Sequence, residues 1–537
     1  MRGADVIARK LKAAGCTHAF GIPGGEVLTI IDALRQAGIA FHLTKHENFA
    51  GFLAEGVWHA TGAPGILVAT IGPGVANAVN VIANAEQDRV PLVAISGCLD
   101  GAEADTYTHQ VFDHQAVLAP ITKATFRINA GSVDQVMDKV LTVLSTGQPG
   151  PVHIDLPIAV AEAEVDGPTG APAGIGSAFA PVEGPELQRA RAWIAGARHP
   201  VAIAGVDAVN DEAAKAVERF VRAIGAPLIT TYKAKGLIDE DDPLSLGAAG
   251  LSPLADRHLM PLIDEADCII LIGYDPIEMR VGWRDPWPAD ARVIDITPTV
   301  RTHGMHKVGV TLHGNVRATL SSLLEGALGS PTWPGREPRA VRQALADAFS
   351  PEAEGWGPAT VFHTLRDLAP RDTVITADSG AHRILLSQLW HCHGPRQMLQ
   401  SSALCTMGCS VALAAGHKVG APETPAMAFV GDAGLEMTLG DLATVRDLLG
   451  ERSLPIVVLI DESLALIELK QRGLQYPNVG VDFPGTDFPA VAAALGGHGV
   501  WVDDAETLAA EARAALERPG FTLLCARIAR RAYDGRF

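Results

Sequence analysis

At 537 residues the chain is too long for one hydrophobic core and implies about three domains of ~150 residues each. Its 48% hydrophobic and 19% charged residues are those of an ordinary folded protein and exclude a disordered one. The 61 acidic residues against 43 Lys and Arg give a net charge of −18 with no long basic run, which excludes nucleic acid as the expected partner. No run of about 18 uncharged apolar residues is present, so no membrane association is expected. The N-terminal MRGADVIARKLKAAG goes directly into an amphipathic, charged pattern unlike a signal peptide, and the expected location is the cytoplasm. Seven cysteines, odd in number and mostly inside apolar stretches, fit reduced buried thiols rather than a disulfide framework.

Short apolar strands alternate with Gly-bearing turns and helical patterns along the chain, which predicts an α/β protein of three consecutive parallel-sheet domains. HAFGIP, IAFHLT, GILVATIG and PLVAISG are the strands of a first segment, 1–165, with helical stretches such as GEVLTIIDALRQAG between them. Residues 165–183, rich in Gly, Pro and Ala, predict a linker. PVAIAG, APLITT, CIILIGYD and RVIDITP are the strands of a second segment, 184–328, and GSPTWPGREP is a second linker. TVITADSG, AMAFVGDAG, PIVVLIDE and FTLLCARI are the strands of a third, 355–530.

In such sheets ligands bind at the carboxyl ends of strands. In KHENFAGFLAEG, Glu47 begins an apolar stretch, where it serves either the helix macrodipole or a chemical role. In ATIGPGVANAVN, Gly72, Pro73 and Gly74 follow a strand and open a helix, a turn that lets a ligand approach but is also common as plain structure. His109 and Gln110 form a polar cluster after the strand PLVAISG, which on these residues alone reads better as a surface loop. A soft-metal site can be drawn through His391, Cys392, His393, Cys405 and Cys409, but LCTMGCSVALAAG reads better as small residues packing a turn into a helix. In AMAFVGDAGLEM, Gly431 to Gly434 end a strand before a helix; the exposed N–H groups suit a phosphate and Asp432 a Mg²⁺ ion, or Asp432 is simply an N-cap. The next strand ends in Asp461, Glu462 and Ser463, and neighbouring parallel strands would bring Asp461 beside Asp432 to complete a Mg²⁺-diphosphate site.

Together these stretches resemble the thiamine-diphosphate-dependent enzymes of the acetolactate synthase group over nearly the whole chain. HENFAGFLAEG is similar to the catalytic-glutamate segment, GDAGLEM and the later DES to the diphosphate-metal signature, and GIPGGE, IGPGVAN and ALCTMG to further segments. The resemblance implies Pyr, central and PP domains in the order of the three segments. It implies that Glu47 hydrogen-bonds N1′ of the aminopyrimidine, favouring the imino tautomer that takes the proton from C2 of the thiazolium. It places Gln110 near the thiazolium as the second catalytic residue. Asp432, Asp461 and Ser463, the last through its main-chain oxygen, fall at the metal-ligand positions. Gly431, Ala433, Gly434 and Ser463 fall at the diphosphate, and His382 with Gly380 in the segment that contacts it. Gly24, Pro73, Gly74, Asn77 and Leu404 fall in further cofactor-binding segments. Met407 aligns with the large apolar residue that bends the cofactor, although Met is also common core filler. Ala433 and Asp461 stand where the usual signature has Gly and Asn.

LIGYDPIEMRVGW at 271–283, THQ at 108–110 and VDF at 481–483 resemble the flavin-independent catabolic branch, so FAD is not expected. QRGLQYPNV departs from the pattern in the region that shapes the substrate pocket. The resemblance implies a carboligase or lyase that decarboxylates a 2-oxo acid such as pyruvate and transfers the two-carbon unit to a 2-oxo acid or an aldehyde. The adjacent His-His pair of pyruvate decarboxylases is absent. A 2-oxo acid decarboxylase and a sulfoacetaldehyde acetyltransferase are the alternatives, and a catalytically dead cofactor-binding protein is the non-enzymatic one. In the family the glutamate and the metal come from different subunits, which implies a homodimer or homotetramer with active sites at the interface.

Overall fold

The computed structural model describes residues 1–167, 179–301, 303–325, 333 and 335–537. Residues 168–178 of the first expected linker, 329–332 and 334 of the second, and 326–328 of the expected second segment lie outside the described residues.

Three six-stranded, all-parallel sheets follow one another along the chain. The first contains β1 (His18–Gly21), β2 (Ala40–Leu43), β3 (Gly65–Ala69), β4 (Leu92–Cys98), β5 (Ala124–Arg127) and β6 (Val152–Pro157), in the order β2-β1-β3-β4-β6-β5. The second contains β7 (Pro200–Ala204), β8 (Leu228–Thr230), β9 (Ser245–Ala248), β10 (Cys268–Ile272), β11 (Arg292–Thr297) and β12 (Val310–His313), in the order β12-β11-β10-β7-β8-β9. The third contains β13 (Val374–Ala377), β14 (Met398–Gln400), β15 (Ala426–Gly431), β16 (Ser453–Ile460), β17 (His498–Val502) and β18 (Gly520–Arg527), in the order β14-β13-β15-β16-β18-β17. Helices cover both faces, so the central strands are continuous apolar runs: GILVA of β3 and CIILI of β10 are buried at every position. Each sheet also holds two strands beyond those legible in the sequence: β5 and β6, β9 and β12, β14 and β17.

Two buried helices join the first segment to the third. The helix Glu47–Thr61 starts after His46, whose ring accepts from Asn48 N, and stops at Gly62 with φ +76°. It crosses the helix Ser410–Gly420 at a pair of glycines. A Cβ on Gly56 would lie 2.3 Å from Leu413 O, and one on Gly416 2.1 Å from Leu53 O, so only glycine permits this backbone approach. Asp441 adds a clamp, accepting a 2.8 Å hydrogen bond from Lys45 N two residues before Glu47. Among the described residues no helix is long and apolar enough to cross a membrane.

Candidate active site

The first half of the site is built around Glu47, only 3% exposed at the first residue of its helix. Asn77, on the first turn of the helix Pro73–Gln87, donates from Nδ2 to Glu47 Oε2 at 3.0 Å. The other oxygen, Oε1, faces Gly74, where a Cβ would stand 3.3 Å away. Gly74 thus faces the carboxylate from the head of this helix, which Gly72 caps and Pro73 begins. Gly24 is packed against Thr70, whose hydroxyl would lie 2.1 Å from a Cβ there and instead donates to Glu26 at 2.7 Å. Gln110 is exposed, in the left-handed region at φ +61°, with its carbonyl against Gly72.

The second half lies where β15 and β16 end side by side, in a register that pairs Gly431 with Leu459. Asp432 Oδ2 accepts from Asp461 N at 3.2 Å and Glu462 N at 2.8 Å, and Oδ1 accepts from Ala433 N at 2.8 Å. Three backbone amides therefore fix its orientation. Asp461 is buried beside it, and its Oδ2 has no hydrogen-bond partner among the described residues. Burial, reinforced by the Asp432 charge, pushes Asp461 up to about 7, and burial also holds Asp432 above the usual carboxylate range. A hard divalent cation would satisfy the unpartnered oxygen and relieve the repulsion, so this donor set fits Mg²⁺. The Ser463 hydroxyl is committed to Asp482 Oδ1 at 2.8 Å, which favours its main-chain oxygen as any contribution to the ion.

A cavity of about 600 Å³ brings Gly380, His382, Met407, Gly431, Ala433 and Gly434 together with Asp432, Asp461 and Ser463. His382 is buried, its Nε2 has no partner among the described residues, and burial pushes its pKa down to about 3, so the ring is neutral. Leu404 lies instead in a second cavity of about 520 Å³, with His46, Phe49 and Met437, and Met407 and Cys405 separate the two spaces. Neither Glu47 nor Gln110 borders the cavity of the two aspartates, whose walls come from residue 251 onward.

Asp378, at the end of β13, was not legible as a site residue. Wholly buried, it accepts from Gly408 N and Cys409 N at 2.9 Å each, and a Cβ on Gly434 would fall 2.0 Å from its Oδ2. It ties the Met407 loop to the turn after β15. The only clue in the sequence was its place at a strand end, in TVITADSG. All seven cysteines are free, and six are buried. His391 and His393 pair with Asp241 and Asp239 rather than with cysteine, in keeping with the packing reading of the LCTMGC stretch.

Three parallel sheets, with a buried helix-start carboxylate on the first and paired strand-end carboxylates on the third, define a multidomain cofactor enzyme. Residues 1–117 match the N-terminal TPP-binding domain of thiamine pyrophosphate enzymes, 187–323 their central domain and 378–526 their C-terminal TPP-binding domain. An acetolactate synthase large subunit of Corynebacterium glutamicum is 31% identical over 465 residues, covering 83% of this chain and 72% of that protein. The acetolactate synthase isozyme 1 large subunit of Escherichia coli is 28% identical over 536 residues, covering 98% and 94%. A probable 2-ketoarginine decarboxylase of Pseudomonas aeruginosa is 29% identical over 532 residues, covering 97% and 93%. The chain belongs to the thiamine pyrophosphate enzyme family, in its acetolactate-synthase-like group, whose chemistry is the making and breaking of carbon–carbon bonds.

Proposed function

We propose that the protein decarboxylates a 2-oxo acid such as pyruvate and transfers the two-carbon unit to a second 2-oxo acid or an aldehyde, using thiamine diphosphate held through Mg²⁺. The observation that carries this reading is the buried, unpartnered Asp461 Oδ2 beside the amide-locked Asp432, opening on a cavity of about 600 Å³. Bound thiamine diphosphate would supply an acidic C2 carbon whose conjugate base adds to the 2-oxo acid and lets CO₂ leave. Asp432, Asp461 and the Ser463 main chain would hold the cation, and Gly431, Ala433 and Gly434 the diphosphate, with Gly380 and His382 alongside. Glu47 would hold and move a proton at N1′ of the aminopyrimidine, with Asn77 orienting it and Gln110 close to the reacting carbon. Met407 would press the cofactor into its bent shape, and Gly24, Pro73, Gly74 and Leu404 would line the aminopyrimidine end.

Incubation with pyruvate, thiamine diphosphate and Mg²⁺ tests the reading: CO₂ with acetolactate supports it, and no CO₂ from any 2-oxo acid overturns it. A second reading, a simple 2-oxo acid decarboxylase, is favoured by the Pseudomonas aeruginosa relative, which matches over almost the full length of both chains. CO₂ with a free aldehyde would select it.

A flavin is not part of the proposal. The second sheet reverses strand order between β7 and β10, where α/β proteins receive nucleotides. There Arg301 pairs with Asp207 at 2.7 Å and Asp275 at 3.4 Å, Arg89 meets Asp275 at 2.9 Å, and Gln148 bonds both aspartates. These paired charges at the strand ends support a reading without a nucleotide there. Co-purification of a flavin chromophore would overturn this.

The active unit proposed is a homodimer or homotetramer, because Glu47 and Gln110 lie outside the cavity of the two aspartates within one chain. Exposed Leu28, Leu43, Tyr107 and Met437 offer apolar surface for the assembly. Sedimentation of the holoprotein as a single 56.3 kDa chain would contradict it. The proposed domains are 1–165, 184–328 and 355–530, each enclosing one sheet, and the proposed location is the cytoplasm, which suits seven free thiols.

A further inference from the structure

A buried polar chain runs behind the Glu47 half of the site, and none of its members was assigned a role above. Ser96 on β4, His153 and Asp155 on β6, and His114 after the Gln110 loop are each under 5% exposed. His114 Nε2 accepts a 3.2 Å hydrogen bond from Gly72 N, so that nitrogen must be unprotonated and Nδ1 must hold the ring's hydrogen. Nδ1 then donates to Asp155 Oδ1 at 2.8 Å. Ser96 Oγ donates to the same oxygen at 2.6 Å, which leaves its own oxygen to accept from His153 Nε2 at 2.8 Å. Burial keeps the His153 ring neutral, and its Nδ1 ends the chain without a partner. Every hydrogen along the chain is directed by the next acceptor, and the end nearest the site is an acceptor aimed at one backbone amide.

That amide belongs to the residue that joins the two catalytic arms. Gly72 has φ +70°, caps the helix bearing Gly74 and Asn77, and has the Gln110 carbonyl 2.2 Å from where a Cβ would be. His114 itself stands four residues after Gln110 and meets the Phe112 ring edge-on at 4.8 Å. Loss of the acceptor would strand a buried N–H and free the turn from both sides.

We propose that His114, held in one tautomer by Asp155 and Ser96, is a positioning residue that locks the Gly72 turn and thereby sets Glu47, through Asn77 and Gly74, and Gln110 in a single arrangement. This rests on the proposed role of Glu47 at the cofactor. Apoprotein reconstituted with thiamine diphosphate and Mg²⁺ gives three readouts: cofactor affinity, thermal midpoint, and exchange of the cofactor C2 hydrogen for deuterium. His114→Leu should slow exchange by about 10-fold or more, while His114→Gln, whose side-chain oxygen can still accept from Gly72 N, should recover most of it. Affinity should change little, and His114→Leu should melt below His114→Gln because its Gly72 N–H is stranded, so exchange is compared well below both midpoints. Equal exchange in the two variants, whether normal or slowed, overturns the proposal.

Asp155→Asn supplies an independent arm should the leucine variant not fold. In the parent it removes the charge that selects the tautomer and should slow exchange; in a His114→Gln background no tautomer remains to select, and it should do nothing further. An equal effect in both backgrounds also overturns the proposal. Wild-type protein with no cofactor-dependent exchange would instead defeat the functional reading itself, whereas normal wild-type exchange with indifferent variants defeats only this inference.

Discussion

Glu47 and Asp432 are both buried carboxylates at the start of a helix, yet the protein holds them in opposite ways. Asp432 has both oxygens engaged by backbone amides, Oδ1 by Ala433 and Oδ2 by Asp461 and Glu462. Glu47 is held through one oxygen by a single neutral side chain, Asn77, with the other turned to the open face of Gly74. A group fixed by three N–H donors is held in one orientation, as suits an ion ligand. A group fixed on one side only retains a free oxygen for a proton that comes and goes. Similar placement on the fold therefore does not imply similar chemistry, and the hydrogen-bond partners distinguish the two roles proposed.

The largest expected effect tests the proton-moving side. Glu47→Gln should slow C2 hydrogen exchange of bound thiamine diphosphate by roughly 10²- to 10⁴-fold, the usual range for loss of a positioned acid or base, with cofactor affinity nearly unchanged. Unchanged exchange would erase the contrast with Asp432. Asp432→Asn should do the reverse. Its NH₂ group would face backbone donors, at a cost of about 1–3 kcal/mol, and Mg²⁺-dependent cofactor binding should weaken about 10- to 100-fold by calorimetric titration. Asp461→Asn, which keeps an oxygen for the ion, should weaken binding less than Asp432→Asn; a larger loss would mean that the two strand ends are misassigned. Asn77→Ala should come next, slowing exchange about 10-fold through loss of one hydrogen bond to a charged group. Loss of affinity in place of exchange would move Asn77 from Glu47 to the cofactor.

The asymmetry between the two halves also explains what could be read in advance. Asp432 and Asp461 were legible because each ends an uninterrupted apolar strand, and adjacent parallel strands must end together. The link from Asn77 to Glu47 was not, because it depends on how two helices pack, and the sequence placed Asn77 only within a cofactor-binding segment. Strand β6 escaped notice for a related reason. VHIDLP breaks the apolar run with His153 and Asp155, which are buried only because Ser96 and His114 satisfy them. The edge strands β9, β12 and β14 are three or four residues long and offer too little pattern. Asp378 was hidden because its partners, the amides of Gly408 and Cys409, come from a distant loop.

A third carboxylate separates burial from function. Glu278, from the GYDPIE stretch, accepts from Lys233 N at 3.0 Å through Oε1, while its Oε2 is buried without a partner. Burial pushes it up to about 8. The folded state thus prefers the neutral acid, and the stability this contributes is complete below the ordinary glutamate range and lost as pH rises through about 8. Melting temperature should therefore fall between about pH 5 and 8 in part because of this residue. Glu278→Gln retains an oxygen for Lys233 N and removes the titration, so it should flatten the fall and raise the melting temperature at pH 8 by about 1–3 °C. Parallel profiles for the two proteins would show that the carboxyl is not strained by its burial. Cofactor affinity and C2 exchange should be untouched, because Glu278 contacts neither arm of the site: its raised pKa comes chiefly from burial, and it does not line the cavity of the two aspartates.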